Sequence, residues 1–137
     1  MAPITTGTNP THIEYGVSGA TTTAGQAVYK DTADSNKFKL ADANSATELV
    51  RTAYGIALNT ASAGQPIGVA DTGDYTAGAT VGIGTIYILS GTPGGIALGA
   101  PGVTDLVTGI YTSILGIGIS VTAIRLKINN SGVAVPP

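Results

Sequence analysis

A chain of 137 residues has room for one domain with a real core. It carries one histidine, no cysteine and no tryptophan, and eight acidic against six basic residues leave a formal charge of −2. Those totals exclude disulfide staples and thiolate metal sites, offer nucleic acid no basic patch, and give enzyme chemistry few titratable groups to gather.

Hydrophobic residues make up 43% of the chain, too many for a disordered one. With six Tyr and one Phe as the whole aromatic complement, the core is expected to consist of Ile, Leu, Val and Ala. Residues 1–13 are polar, contain Pro3 and Pro10, and show no period, which predicts an extended N-terminal arm. No positive segment followed by an apolar run opens the chain, so no signal peptide is expected. Residues 14–132 form the expected domain, and 133–137 (Val133-Ala134-Val135-Pro136-Pro137) an extended tail.

Strand signals come quickly after the arm. Ala27-Val28-Tyr29-Lys30 is followed by a turn at Asp31-Thr32-Ala33-Asp34-Ser35-Asn36, and Lys37-Phe38-Lys39-Leu40 alternates so that Phe38 and Leu40 point inward. Residues 43–50 hold the helix formers, with Asn44 or Ser45 as a possible N-cap, and make two turns of helix or a loop. Tyr54, Ile56 and Leu58 then share one strand face against Ala53, Gly55 and Ala57. Ile67 and Val69 oppose Gly68 and Ala70, and Leu115, Ile117 and Ile119 oppose Gly116 and Gly118. In the last strand Ile124, Leu126 and Ile128 point one way and Arg125, Lys127 and Asn129 the other; as an edge strand, 123–129 would be open to a partner or guarded by its two cations.

Large residues set against Gly and Ala imply that the second face is also covered. Either the sheet closes on itself as a small barrel or sandwich, or a neighbouring subunit packs there. A turn element recurs as Ala24-Gly25-Gln26, Ala63-Gly64-Gln65 and Ala77-Gly78-Ala79, at spacings that do not repeat evenly and so exclude a solenoid. The fold class expected is all-β: a single compact barrel or sandwich of short strands, with at most one short helix.

Motifs for chemistry are sparse. His12-Ile13-Glu14 has the spacing of a zinc deaminase, but the cysteine pair is missing. Any Ser-His-Asp triad would have to use His12, and no serine sits in a Gly-x-Ser-x-Gly elbow. Asp31, Asp34 and Asn36 lack the Gly and closing Glu of a calcium loop and read as turn formers. Asp71 and Asp74 flank Gly73 in what reads as a turn between two short strands. Gly91-Thr92-Pro93-Gly94-Gly95 lacks the lysine of a phosphate loop and reads as a hairpin tip. The tyrosines stand singly and form no stacking platform for bases. No enzyme activity, cofactor, metal, nucleic acid or membrane contact is expected.

Several segments together resemble a known family. They are Gly19-Ala20-Thr21-Thr22-Thr23-Ala24-Gly25-Gln26-Ala27-Val28-Tyr29-Lys30-Asp31, Lys39-Leu40-Ala41-Asp42-Ala43, Tyr54-Gly55-Ile56-Ala57-Leu58-Asn59 and Ser62-Ala63-Gly64-Gln65-Pro66-Ile67. The matching end is Ile110-Tyr111-Thr112-Ser113-Ile114-Leu115-Gly116 with Ile128-Asn129-Asn130-Ser131-Gly132-Val133. Over residues 17–135 the chain resembles the capsid decoration, or cement, proteins of tailed phages. The resemblance lies in turn and core patterns and includes no functional signature. It implies a structural virion protein, assembled in the host cytoplasm, on the outer surface of an icosahedral head. There it would clamp neighbouring major capsid subunits, as a homotrimer at three-fold and quasi-three-fold positions. The arm would be the clamp, which makes Pro3, Ile4, Pro10, His12 and Tyr15 the candidate capsid contacts. The competing reading is a tail-associated or host-surface-binding β module that takes a glycan or receptor; a small hydrolase on a β scaffold is disfavoured by the missing His and carboxylate clusters.

Overall fold

The computed structural model describes residues 11–77, 80–100 and 107–137. Among them are nine strands and no helix: β1 (His12–Val17), β2 (Ala27–Asp31), β3 (Lys37–Leu40), β4 (Gly55–Ala57), β5 (Pro66–Thr76), β6 (Ile86–Leu89), β7 (Ile96–Ala100), β8 (Tyr111–Gly118) and β9 (Ala123–Ala134). They join in one curled antiparallel sheet of order β3-β2-β4-β5-β9-β8-β6-β7, with β1 added to β5. The fold is all-β, as the alternation in the sequence required.

β5 organises the sheet. Its first half pairs with β1 and β4, and its second half, from Thr72 on, with β9. Gly73, with φ of +89°, sits where the partners change. Such a φ favours Gly, so the strand bends here without a side-chain clash. Asp71 and Asp74 therefore lie within one 11-residue strand, where the sequence suggested a turn between two. The end of β1 comes round to β3 through a parallel bridge between Ser18 and Phe38 and a bond from Gly19 N–H to Phe38 O (2.7 Å).

Two apolar cores lie on opposite sides of the β2-β4-β5 wall. The smaller gathers Val28, Phe38, Ala57, Ala61, Ile67 and Val69. The larger includes Ala27, Tyr29, Ile56, Ala70, Tyr75, Leu89, Leu115, Ile124 and Leu126. This accounts for the large-against-small alternation: both faces are buried, and the chain itself covers the second. A Cβ on Gly55 would overlap the Ala70 carbonyl oxygen, and one on Gly118 the Gly82 carbonyl oxygen. Aromatic rings contribute more than composition suggested, since Phe38 centres the smaller core and Tyr29 and Tyr75 lie in the larger.

Several local expectations change. Leu115 is buried but Ile117 and Ile119 are exposed, while Gly116 and Gly118 are buried. β6 pairs Tyr87 with Gly116 and Ile88 with Ile114, leaving Leu115 as an extra residue. That bulge reverses the alternation halfway along β8. Tyr54 packs on the smaller core and Ile56 in the larger, so they do not share a face as expected. β9 is interior, paired to β5 and to β8, so Arg125 and Lys127 mark its solvent face and guard no edge. Residues 43–50 form turns: Asp42 and Ser45 side chains take the Asn44 and Thr47 N–H groups, competing with helix nucleation.

At the ends, His12 and Ile13 belong to β1 and β9 continues to Ala134, so the arm and the tail both lose residues to the sheet. Of the recurring turns, two are the same structure. Gly25 (φ +93°) and Gly64 (φ +88°) sit in tight turns closed by Gln26 N–H to Thr23 O and Gln65 N–H to Ser62 O. In each, the Gln Oε1 accepts the N–H three residues earlier at 2.8 Å. In the third, Gly78 and Ala79 lie outside the described residues.

Candidate interaction surface

β1 carries the described members of the candidate contact set, His12 and Tyr15; Pro3, Ile4 and Pro10 lie outside the described residues. Strand alternation gives β1 two different faces. Glu14 and Gly16 turn inward. Glu14 Oε2 takes the Lys30 ammonium at 2.5 Å, and its other oxygen accepts the Tyr54 hydroxyl. Lys30 lies over the Tyr54 ring (5.1 Å) and the Phe38 ring (5.9 Å), and those rings pack tilted with centroids 5.5 Å apart. Gly16 leaves room for Phe38, whose Cε2 stands 2.8 Å from where a Cβ would be. Lys30, then Tyr54, holds the Glu14 carboxyl below the usual carboxylate range. The same contact raises the Lys30 ammonium and the Tyr54 hydroxyl.

The outer face presents Ile13, Tyr15 and Val17. Tyr15 is 79% exposed and pairs across to Gly68, where a Cβ would stand 3.3 Å from its ring. An aromatic ring over a strand glycine covers backbone that has no side chain of its own. Val17 and Leu58 are also exposed, and Leu58 N–H bonds Gly68 O, so the apolar surface continues from β1 across β5 towards β4. Its floor is tied to the smaller core by the inward contacts of Glu14 with Lys30 and Tyr54.

Polar anchors hold the ends of this ledge. His12 Nδ1 lies 2.7 Å from Asp71 Oδ1, at the point where β5 carries one extra residue against β1. Asp74 binds Arg125 in a two-pronged contact, Nε at 2.8 Å and Nη2 at 3.2 Å, which raises the guanidinium. The two aspartates that flank Gly73 are thus taken up by different partners, Asp71 by His12 and Asp74 by Arg125. Asp31 and Asp34 are likewise engaged, holding Lys39 at 2.8 and 2.9 Å, and Ser35 and Asn36, in left-handed conformation, turn the chain from Asp34 into β3. Each carboxyl is held below its usual range by Lys39. Among the described residues no group of three or more His, Cys, Asp or Glu side chains converges as a metal site would require.

One concave feature escaped the sequence reading. Tyr75 and Tyr87, distant in sequence, line the same cavity of about 610 Å³ with Gln26, Val81, Ile96 and Ile124. Only the strand order brings them together, since β9, β8 and β6 carry the sheet from one to the other. Burial pushes the Tyr75 phenol up to about 12, and the Tyr87 hydroxyl oxygen accepts the Gly82 N–H (2.9 Å). The Gly91–Gly95 loop that rims it is no free tip: Gly94 N–H bonds Ala41 O, and its own carbonyl accepts Ala27 N–H. No protein-family model, curated protein or solved structure matches this chain.

Proposed function

We propose that the protein is a structural component of a phage virion, binding the outer surface of an icosahedral head and bridging neighbouring capsid subunits. The observation that carries this reading is the apolar ledge of exposed Tyr15, Val17 and Leu58 with half-buried Ile13 beside them, built on a strand tied from behind by the Glu14–Lys30 pair. A surface meant for a protein partner shows an exposed aromatic on rigid backbone, so that little freedom is lost on docking. The carboxylates that might have served chemistry are instead paired with lysine, arginine or histidine across strands. The resemblance in turn and core patterns points the same way, and adds a homotrimer at three-fold and quasi-three-fold positions. Each copy would then bridge several subunits with modest contacts that act together.

The test is to mix purified protein with intact and emptied phage heads and count bound copies by sedimentation and gel densitometry. Saturation at a stoichiometry fixed by capsid symmetry supports the reading, and bare heads at saturating protein refute it. The Tyr75–Tyr87 cavity favours one alternative, a host-surface-binding module for a neutral sugar. A glycan array decides it: bare heads together with glycan binding abolished in Tyr87→Ala would put the function there.

A further inference from the structure

The two flanks of the sheet are protected differently. β3 carries Lys37 and Lys39, and its outer side already meets the end of β1. β7, Ile-Ala-Leu-Gly-Ala, has no charge and no proline, and among the described residues it pairs with β6 alone. Natural sheets blunt such edges with lysine, proline or a covering segment, because unpaired backbone groups template another strand. The open groups can be assigned. Ser90 N–H donates to Gly95 O beside the Leu89–Ile96 pair. By the alternation of an antiparallel ladder, Ala97 then bonds inward to Ile88, while Ile96 and Leu98 turn their N–H and C=O groups outward.

Residues 1–10 supply a matching strand. They carry no charged side chain, and Ile4-Thr5-Thr6 is a run of β-branched residues. Pro3 and Pro10 bracket six residues that all keep an N–H, against five residues in β7. The segment leads into β1, which joins the sheet at β5, with β9, β8 and β6 between there and β7.

We propose that residues 4–9 of one copy add as a strand to β7 of a second copy, each copy giving one arm and receiving another. Donor and acceptor are different surfaces, so the contact is head-to-tail, and the three-fold rotation of a homotrimer would close it into a ring. It specifies the contact that builds the homotrimer, resting on the virion reading only for the number of copies. It gives the arm to a neighbouring copy and leaves the Tyr15 ledge for the shell.

Sedimentation of the full chain, of a deletion of residues 2–9 and of Ala97→Lys tests it. The full chain is expected as one closed oligomer and both variants as folded monomers with single cooperative melts that, unlike the parent's, do not depend on protein concentration. The deletion keeps its edge and Ala97→Lys keeps its arm, so mixing the two monomers should yield a one-to-one dimer. Leu98→Pro, which removes an outward N–H, replaces Ala97→Lys if that variant fails to fold. A monomeric full chain, a variant that keeps the parent's mass, or no dimer on mixing overturns the exchange. Head binding is scored separately: a ring that leaves heads bare refutes the virion reading alone, and a full-chain monomer that coats heads refutes the exchange alone.

Discussion

Replacing Glu14 with Gln tests whether the ledge is held from behind. The substitution keeps the shape and an acceptor for the Tyr54 hydroxyl but removes the charge that Lys30 meets at 2.5 Å. Both side chains are 28% exposed, so the pair is worth more than a surface ion pair and less than a fully buried one. A hydrogen bond between charged groups contributes about 1.5–3 kcal/mol, and part survives in the amide, so the expected loss at neutral pH is about 1–2 kcal/mol. For a domain of this size that lowers the melting temperature by roughly 3–8 °C. The pH dependence follows from the carboxyl's folded pKa lying below its ordinary value of 4.5. Its stabilisation is complete above 4.5 and disappears as pH falls through the depressed value. The Lys30 side runs the other way: raised above 10.5, it stabilises fully below that pH and is lost as pH rises through its folded value. The difference between parent and Glu14→Gln should thus be constant from pH 6 to 9 and shrink below the carboxylate range. Thermal melts across pH measure it, and a double-mutant cycle with Lys30→Met isolates the pair. An equal difference at pH 7 and pH 2.5 would refute the electrostatic origin, and no coupling in the cycle would refute the contact.

Four further outcomes follow from the packing. Phe38→Ala, at the centre of the smaller core, should lose about 3–5 kcal/mol in denaturant unfolding; a loss of under about 1 kcal/mol would mean the core collapses to fill the space. Gly118→Ala places a methyl against the Gly82 carbonyl oxygen and should lower stability by about 1–3 kcal/mol, whereas an unchanged melt would mean the Val81–Gly82 segment yields freely. Gly64→Ala has open space around it but a φ of +88°, so its loss of about 1–2 kcal/mol should be largely recovered by Gly64→Asn. Tyr15→Ser should change stability by less than about 1 kcal/mol while lowering the occupancy of heads, and full occupancy would move the shell contact elsewhere.

Much of the strand pattern was legible because burial in a sheet writes a period of two. Lys37–Leu40 is β3 to the residue, and Ile124, Leu126 and Ile128 lie inward as their alternation requires. What failed did so where one backbone event breaks the period. The Leu115 bulge turned Ile117 outward, and Gly73 let a strand continue through what composition marks as a turn. The role of β9 was misjudged for another reason: polar residues on alternate positions report a wet face, and a wet face occurs on interior and edge strands alike. Of the candidate contacts, His12 and Tyr15 fall on one strand but do opposite things, His12 anchoring to Asp71 while Tyr15 projects. The Tyr75–Tyr87 cavity was beyond reach, because non-local strand order put those rings together.

The position of Gly68 ties the fold to the proposed surface. Its neighbours Ile67 and Val69 are committed to the smaller core, so the residue between them faces the opposite side of the sheet, where Tyr15 covers it. A larger residue there would meet Tyr15 and Ile13 at 3.3 and 3.6 Å and lift the ring away from the strand. Glycine instead lets Tyr15 lie across β5 with most of its surface free, while Glu14, one residue earlier, is drawn inward by Lys30 and Tyr54. The apolar ledge is therefore a consequence of the core on its far side: the residues that close the smaller core determine which β1 side chains are left for a partner. A change that loosens the core, such as Phe38→Ala, should then weaken head binding more than its distance from the surface suggests. Equal head affinity for that variant and the parent, measured where both are folded, would show that the ledge stands independently of the core beneath it.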